Sequence, residues 1–268
     1  MIYLFTTIYN VQDTNRIEEL SSVIKNNQIL KAIDKIFILN EKSNINISKI
    51  DKIELIPLDN RPFYSDFFKL INKISTPDDI NIISNSDIFF DKNIGVLKYI
   101  LLKETCFSLS RWNIGSYGKP KLFNRNDSQD VWIFKGKINE YVNGNFPLGV
   151  PRCDNRFLHE LKKAGYKVLN PAFSIKSLHL HKDCLNDYPA GLKKGYIEGP
   201  YDYLFPHNQF NLIKTLLFNL IHKEKLNLYK YDCKKINQWI IIRLFRKLLK
   251  KVFKYELPLI GYNIKVQS

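Results

Sequence analysis

The segment NIISNSDIFFD, residues 81–91, ends a largely apolar run with Asn85, Ser86 and Asp87 and places Asp91 four positions further on. If extended geometry persists, Asn85, Asp87, Phe89 and Asp91 share one side, because strand residues two apart face the same way. A carboxylate there suits a hard divalent cation such as Mg2+ or Mn2+. Such an ion takes carboxylate oxygens together with those of a substrate diphosphate and stabilises charge on a phosphate leaving group. The same residues serve equally as a turn or a helix cap.

A second acid, Asp154, stands in PLGVPRCDNRFLHELKKAGYKV, residues 147–168, just ahead of an expected helix over 155–164. That helix carries Phe157, Leu158, Leu161 and Ala164 on its inner side, and Gly165 can end it. Asp154 reads either as its N-cap or as a general base that takes a proton from an incoming hydroxyl. In KSLHLHKD, His179 and His181 lie two apart and face one way on a strand, which makes a polar face or a pair of metal ligands. One of them completing a site built by Asp87 is the stronger metal reading. Arg61, in a loop stiffened by Pro62, offers a guanidinium for phosphate or a plain surface charge. SRWNIG and SQDVWIFKG supply Arg111, Trp112, Asp130 and Trp132. Aromatic faces beside a carboxylate can hold sugar rings, although Trp132 suits a core equally well.

These residues need elements to position them. Residues 2–8, 35–39, 52–57 and 80–84 read as strands, the last apolar on both faces as a central strand is. Residues 13–30 and 65–74 have helical spacing. Further strands are expected at 106–109, 131–134 and 177–181. The alternation predicts an α/β sheet with ligands at the carboxyl ends of its strands, which selects Thr6, Thr7, Tyr9 and Asn10, then Asp59 and Arg61, then residues 85–91.

The chain has 268 residues, 45% of them hydrophobic and 25% charged, the composition of a globular protein. The first ten residues lack a basic n-region, so no signal peptide is expected, and no apolar run reaches membrane-span length. Cys106, Cys153, Cys184 and Cys233 form no CxxC pair, which favours a reducing, cytoplasmic setting over a disulfide framework or zinc site. Residues 207–268 hold thirteen Lys and Arg against three acids, +10 of the chain's net +15.

Taken in order, the Thr/Tyr/Asn-ended first strand, NRPFYSDFF, NIISNSDIFFD, SQDVWIF, CDNRFLHELKKAGYKV and LHLH resemble the GT-A glycosyltransferases. The likeness is to bacterial and large-virus enzymes that build surface polysaccharides such as capsule and O-antigen, and it covers roughly residues 1–206. It implies a Rossmann-like mixed sheet with flanking helices for 1–206, followed by a helical extension over 207–268. It also implies a nucleotide-sugar donor, UDP-linked by default, a glycan or lipid-linked glycan acceptor, and Mn2+ or Mg2+, with metal-independent catalysis also open. Asp87 matches the second acid of a DxD motif, with Asn85 where the first would stand and Asp91 a further contributor. Asp154 matches the base of inverting members, while His181, or failing it His179, matches the late metal ligand. Thr6, Thr7, Tyr9, Asp59, Arg61, Asn85 and Ser86 fall on the donor side, and Arg111, Trp112, Asp130 and Trp132 on the acceptor side.

Residues 236–255 set Trp239, Leu244, Phe245, Leu248, Leu249 and Val252 against six Lys and Arg. An amphipathic basic helix suits an anionic membrane surface, here the inner face of the membrane. It suits equally a face packed on the catalytic domain or in a homodimer. The rival from another class is a non-catalytic basic module that binds membrane or nucleic acid on an α/β scaffold. The polar residues gather at strand ends rather than along a charged groove, so no nucleic acid is expected. A sugar nucleotidyltransferase would need a glycine-rich loop after the first strand, and TTIYNVQDTN has no glycine.

Overall fold

The computed structural model describes residues 1–47, 50–99, 104–114, 120–123, 125–172, 175–180, 196–204, 206 and 240–253. Strand β1 (Ile2–Tyr9), rich in β-branched and aromatic residues, pairs in parallel with β2 (Lys35–Glu41) on one side and with β4 (Ile80–Ser84) on the other. Strand β3 (Ile53–Leu58) extends that edge in parallel. Beyond β4 the sheet becomes mixed, since β9 (Val131–Lys135) runs antiparallel to both β4 and β6 (Thr105–Leu109), and β10 (Lys167–Leu169) closes the far edge parallel to β6. The order of the seven strands is β10-β6-β9-β4-β1-β2-β3.

Alternating side chains give this sheet two apolar faces, and helices cover both. On one face Ile2, Leu4, Ile36 and Ile82 pack with Ile24 of α1 (Thr14–Gln28), whose N-terminus Asp13 caps by accepting from the Asn15 amide at 2.8 Å. On the other, Phe5, Phe37 and Ile83 meet Tyr64, Phe67 and Ile71 of α2 (Tyr64–Ile74) and Phe157, Leu158 and Leu161 of α3 (Cys153–Lys163). Burial on both sides stabilises the central strands by roughly 1.5–3 kcal/mol per large side chain.

A second, four-stranded sheet has the order β5-β11-β7-β8. Its members are β5 (Ile88–Phe90), β7 (Arg111–Ile114), β8 (Pro120–Leu122) and β11 (Ser177–Leu180). Helix α4 (Ile240–Phe253) belongs to the C-terminal part of the chain. Among the described residues no helix is long and apolar enough to cross a membrane. The division expected after residue 206 borders 207–239, which lie outside the described residues.

The strands and helices expected over residues 2–180 form with ends shifted by at most two residues, the ends of the helix expected over 236–255 lie outside the described residues, and the α/β class with a mixed sheet and flanking helices is the observed one. Two local expectations are corrected. The strand does not continue through the NSD segment: β4 stops at Ser84, a turn occupies Ser86 and Asp87, and β5 begins in the other sheet. The alternation that would align Asn85, Asp87, Phe89 and Asp91 is therefore broken. Asp154 is not ahead of α3 but in its first turn, and the N-cap position belongs to Arg152 in a left-handed conformation, φ 71°.

Candidate functional site

The carboxyl ends of β1 and β4, the segment before β9 and the start of α3 enclose a polar cavity of about 600 Å³. Thr7, Tyr9, Arg61, Asn85, Ser86, Asp87, Arg111, Asp130, Trp132, Asp154 and His179 all line it, so most of the residues singled out in the sequence meet there.

Asp87 is held from two sides. Its Oδ2 accepts from Arg16 Nη2 at 2.8 Å and lies 3.3 Å from His179 Nε2, so one partner comes from α1 and the other from β11. Arg16 also donates from Nη1 to Glu19 Oε2 at 3.1 Å. Burial alone would raise the Asp87 carboxyl, but the facing His179 and Arg16, with their hydrogen bonds, hold it well below the usual carboxylate range. Arg16, in turn, is kept protonated by Asp87 and Tyr9 against the opposing effect of burial. Asp87 Oδ1 is buried and has no protein partner among the described residues.

Asn85 turns its amide nitrogen onto Asp130 Oδ1 at 2.8 Å, and Arg111 Nη1 reaches the same oxygen at 3.1 Å. Among the described residues the other carboxylate oxygen of Asp130 is buried and has no partner, and the same holds for Trp132 Nε1 and Gln129 Oε1. All three belong to residues that line the cavity, so its lining holds two acceptors and one donor without a described protein partner, the mixture that a hydroxyl-bearing ligand can satisfy. Trp132 is at once a wall and a core residue, fully buried against Tyr64 and Phe157 with ring centroids 5.3 Å from each.

Asp154 follows a different logic from Asp87. Its Oδ2 accepts from the Gln129 amide at 3.1 Å and Oδ1 from the Asn155 amide at 2.9 Å, and among the described residues no cation is bonded to it. Burial raises its carboxyl, the two amides pull it back and the neighbouring Asp130 charge raises it again, leaving it at about 6. The adjacent Cys153 thiol is pushed by burial to about 12, so it stays protonated and is no nucleophile at neutral pH.

A third wall is cationic. Arg61 lies against the loop before α3, and among the described residues it has a loose 3.9 Å approach to Glu41 and a buried Nη1 with no partner. A Cβ on Gly149 would sit 4.0 Å from that nitrogen. Arg152 and Arg125 also line the cavity.

Some expected residues lie elsewhere. Thr6 is turned inward, its Oγ1 donating to the Asn85 carbonyl at 3.4 Å. Asp59 is solvent-exposed and pairs with Lys42 at 3.2 Å. Asp91 accepts from the Asn93 amide at 2.9 Å and starts a 3-10 helix, Lys92–Tyr99, away from the cavity. Trp112 packs on Leu178 and donates to the Ala172 carbonyl at 2.8 Å. His181 lies outside the described residues. Reading the sequence missed Arg16, Gln129, Arg125 and Arg152. An Arg–x–x–Glu pair on the helix that follows the first strand was the one available signal for Arg16.

For a divalent ion, no group of three His, Cys, Asp or Glu among the described residues makes a protein cage. The idle Oδ1 of Asp87 nevertheless fits an ion of the Mg2+ kind, which takes one or two carboxylate oxygens and completes its shell with water and substrate phosphate. With Nε2 turned to Asp87, His179 orients that carboxylate.

No family model and no curated protein matches the sequence. Solved structures give distant likenesses. A mannosyltransferase from Pyrobaculum calidifontis, in complex with GDP-Man and Mn2+, is 12% identical with a TM-score of 0.42 over 62% of this chain. This chain spans about half of that one, 53%. The 4-diphosphocytidyl-2C-methyl-D-erythritol synthase from Anaerococcus prevotii is 14% identical, with a TM-score of 0.40 over 63% of this chain and 85% of its own. S. aureus TarS 1–349 is 12% identical, with a TM-score of 0.37 over 99% of this chain and 75% of its own.

Proposed function

We propose that the protein is a glycosyltransferase that moves a sugar from a nucleotide-diphosphate sugar to an acceptor hydroxyl, with inversion at the anomeric carbon. The observation that carries this reading is the opposite tuning of two carboxyl groups on one cavity. Asp87 is held ionised by Arg16 and His179, whereas Asp154, with no ion pair among the described residues, is raised by burial to about 6. One group is suited to a permanently charged binding role and the other to proton transfer near neutral pH.

In the proposed reaction Asp154 takes the proton of the acceptor hydroxyl. The oxygen's electron pair forms the new bond to the anomeric carbon while the bond to the donor phosphate breaks, its electron pair leaving on the nucleoside diphosphate. Arg61, with its idle Nη1, binds a phosphate oxygen, and Asp130 and Trp132 orient hydroxyls of the acceptor. A divalent ion on Asp87 Oδ1 supplies positive charge to the diphosphate when bound. Uridine diphosphate sugars are the first donors to test, and a glycan or lipid-linked glycan of a surface polysaccharide is the first acceptor class.

Calorimetry against a panel of nucleoside diphosphates, with Mn2+ and with a chelator, tests the donor. Binding of one nucleotide that strengthens with metal is the expected result. Folded protein that binds none of them overturns the proposal.

A further inference from the structure

We infer that helix α4 docks on an anionic lipid surface, lying in the interface plane. The helix Ile240–Phe253 carries five cations, Arg243, Arg246, Lys247, Lys250 and Lys251, and no acid. At about 100° per residue, Leu244, Leu248, Val252, Phe245 and Leu249 fall on one arc and the five cations on the opposite one.

In a helix packed on its own domain the apolar arc is the buried one. Here four of its five members are exposed, Leu244 60%, Leu248 55%, Val252 57% and Phe245 49%, with Leu249 half-buried, and none of the five joins a core cluster among the described residues. A contiguous exposed apolar stripe marks an interaction surface. Lys247 and Lys251, also exposed, flank it at the edge of the arc.

Charge chooses the occupant. The five cations lie within a segment, 207–268, that supplies +10 of the chain's net +15. A surface that takes apolar side chains in its centre and cations at its rim is the headgroup boundary of an anionic bilayer. Nucleic acid satisfies the cations and leaves the apolar stripe in water. Fourteen residues span about 21 Å at 1.5 Å each, short of a hydrocarbon core of ~30 Å, so the helix lies on the membrane.

The test uses the full chain with vesicles of phosphatidylcholine alone and of phosphatidylcholine mixed with phosphatidylglycerol, together with sizing in solution. Co-sedimentation with the mixed vesicles only is expected. Lys247→Gln with Lys251→Gln should weaken it about 30-fold, at roughly fivefold for each cation near the surface. Leu244→Ser with Leu248→Ser should weaken it at least tenfold, and nucleotide affinity should stay unchanged in both variants. Because these side chains are exposed, circular dichroism should show no loss of fold. Equal binding to both vesicle types, or none by folded protein, overturns the inference. So does a dimer that the leucine pair disrupts, which would assign the stripe to a second copy. Nucleotide binding is read separately, so failure here leaves the transferase proposal standing and the reverse also holds.

Discussion

Arg16 and Asp87, 71 residues apart in sequence, meet in an ion pair of 2.8 Å that joins the helix after β1 to the turn after β4. Both side chains are largely buried, so each desolvated charge depends on the other. The pair gives the NSD turn a fixed carboxylate and leaves Oδ1 as the oxygen available to a ligand.

Removing one member should therefore cost far more than a surface pair does. Arg16→Ala is expected to destabilise the fold by about 3–5 kcal/mol, because Asp87 and Glu19 both lose a cation. A double-mutant cycle with Asp87→Asn, followed by urea unfolding, checks this. Additive losses would mean that the two residues are not coupled.

Asp87→Ala should abolish the part of donor binding that depends on Mn2+. Calorimetry of wild type and variant, each with Mn2+ and with a chelator, reads that part directly, and the same donor affinity in all four titrations would remove the ion from Asp87.

With its carboxyl at about 6, Asp154 predicts a transfer rate that rises with pH through 6, as the base form appears. The stability sign runs the other way. The folded state holds this proton more tightly than the unfolded chain, so the associated stability is present below pH ~4 and is lost as pH rises through 6. Asp154→Asn should thus lose turnover, keep donor binding and lose the fall in stability that the wild type shows as pH rises through 6, while one backbone amide gives up its acceptor. Retained turnover would leave the residue a structural part of the first turn of α3.

Arg61→Gln should leave stability within about 0.5 kcal/mol, since among the described residues its carboxylate approach is the loose one to Glu41 at 3.9 Å. Its idle Nη1 predicts a tenfold or greater loss of nucleoside diphosphate affinity, on the scale of one charge-assisted hydrogen bond. Unchanged affinity would place the phosphates elsewhere.

Gly144→Ala tests the packing that seats α2. The Gly144 carbonyl accepts from the Ser65 amide at 2.9 Å, and an added Cβ would overlap the Phe68 ring and come 2.7 Å from Ser65 N. A loss of about 1–3 kcal/mol is expected in denaturant unfolding.

The sequence by itself determined the elements and their order. The residues at and just after the strand ends were legible because apolar runs and period-2 or 3.6 spacing report local geometry. For that reason Asp87, Asn85, Arg61 and Thr7 could be named before any contact was known. Their partners could not. Arg16 reads in sequence as one more solvated charge on α1, and only the parallel pairing of β1 with β4 brings it to Asp87.

Tertiary structure also decided which acids act together. Asp91, four residues beyond Asp87, leaves the cavity because the turn at Ser86 and Asp87 passes the chain into a second sheet, whereas Asp154, far along the chain, enters it with α3. Charge and spacing along the chain carry no record of burial. The raised carboxyl of Asp154 and the ionised one of Asp87 come from desolvation and from charges supplied by distant segments, and those exist only once the sheets have closed around the cavity.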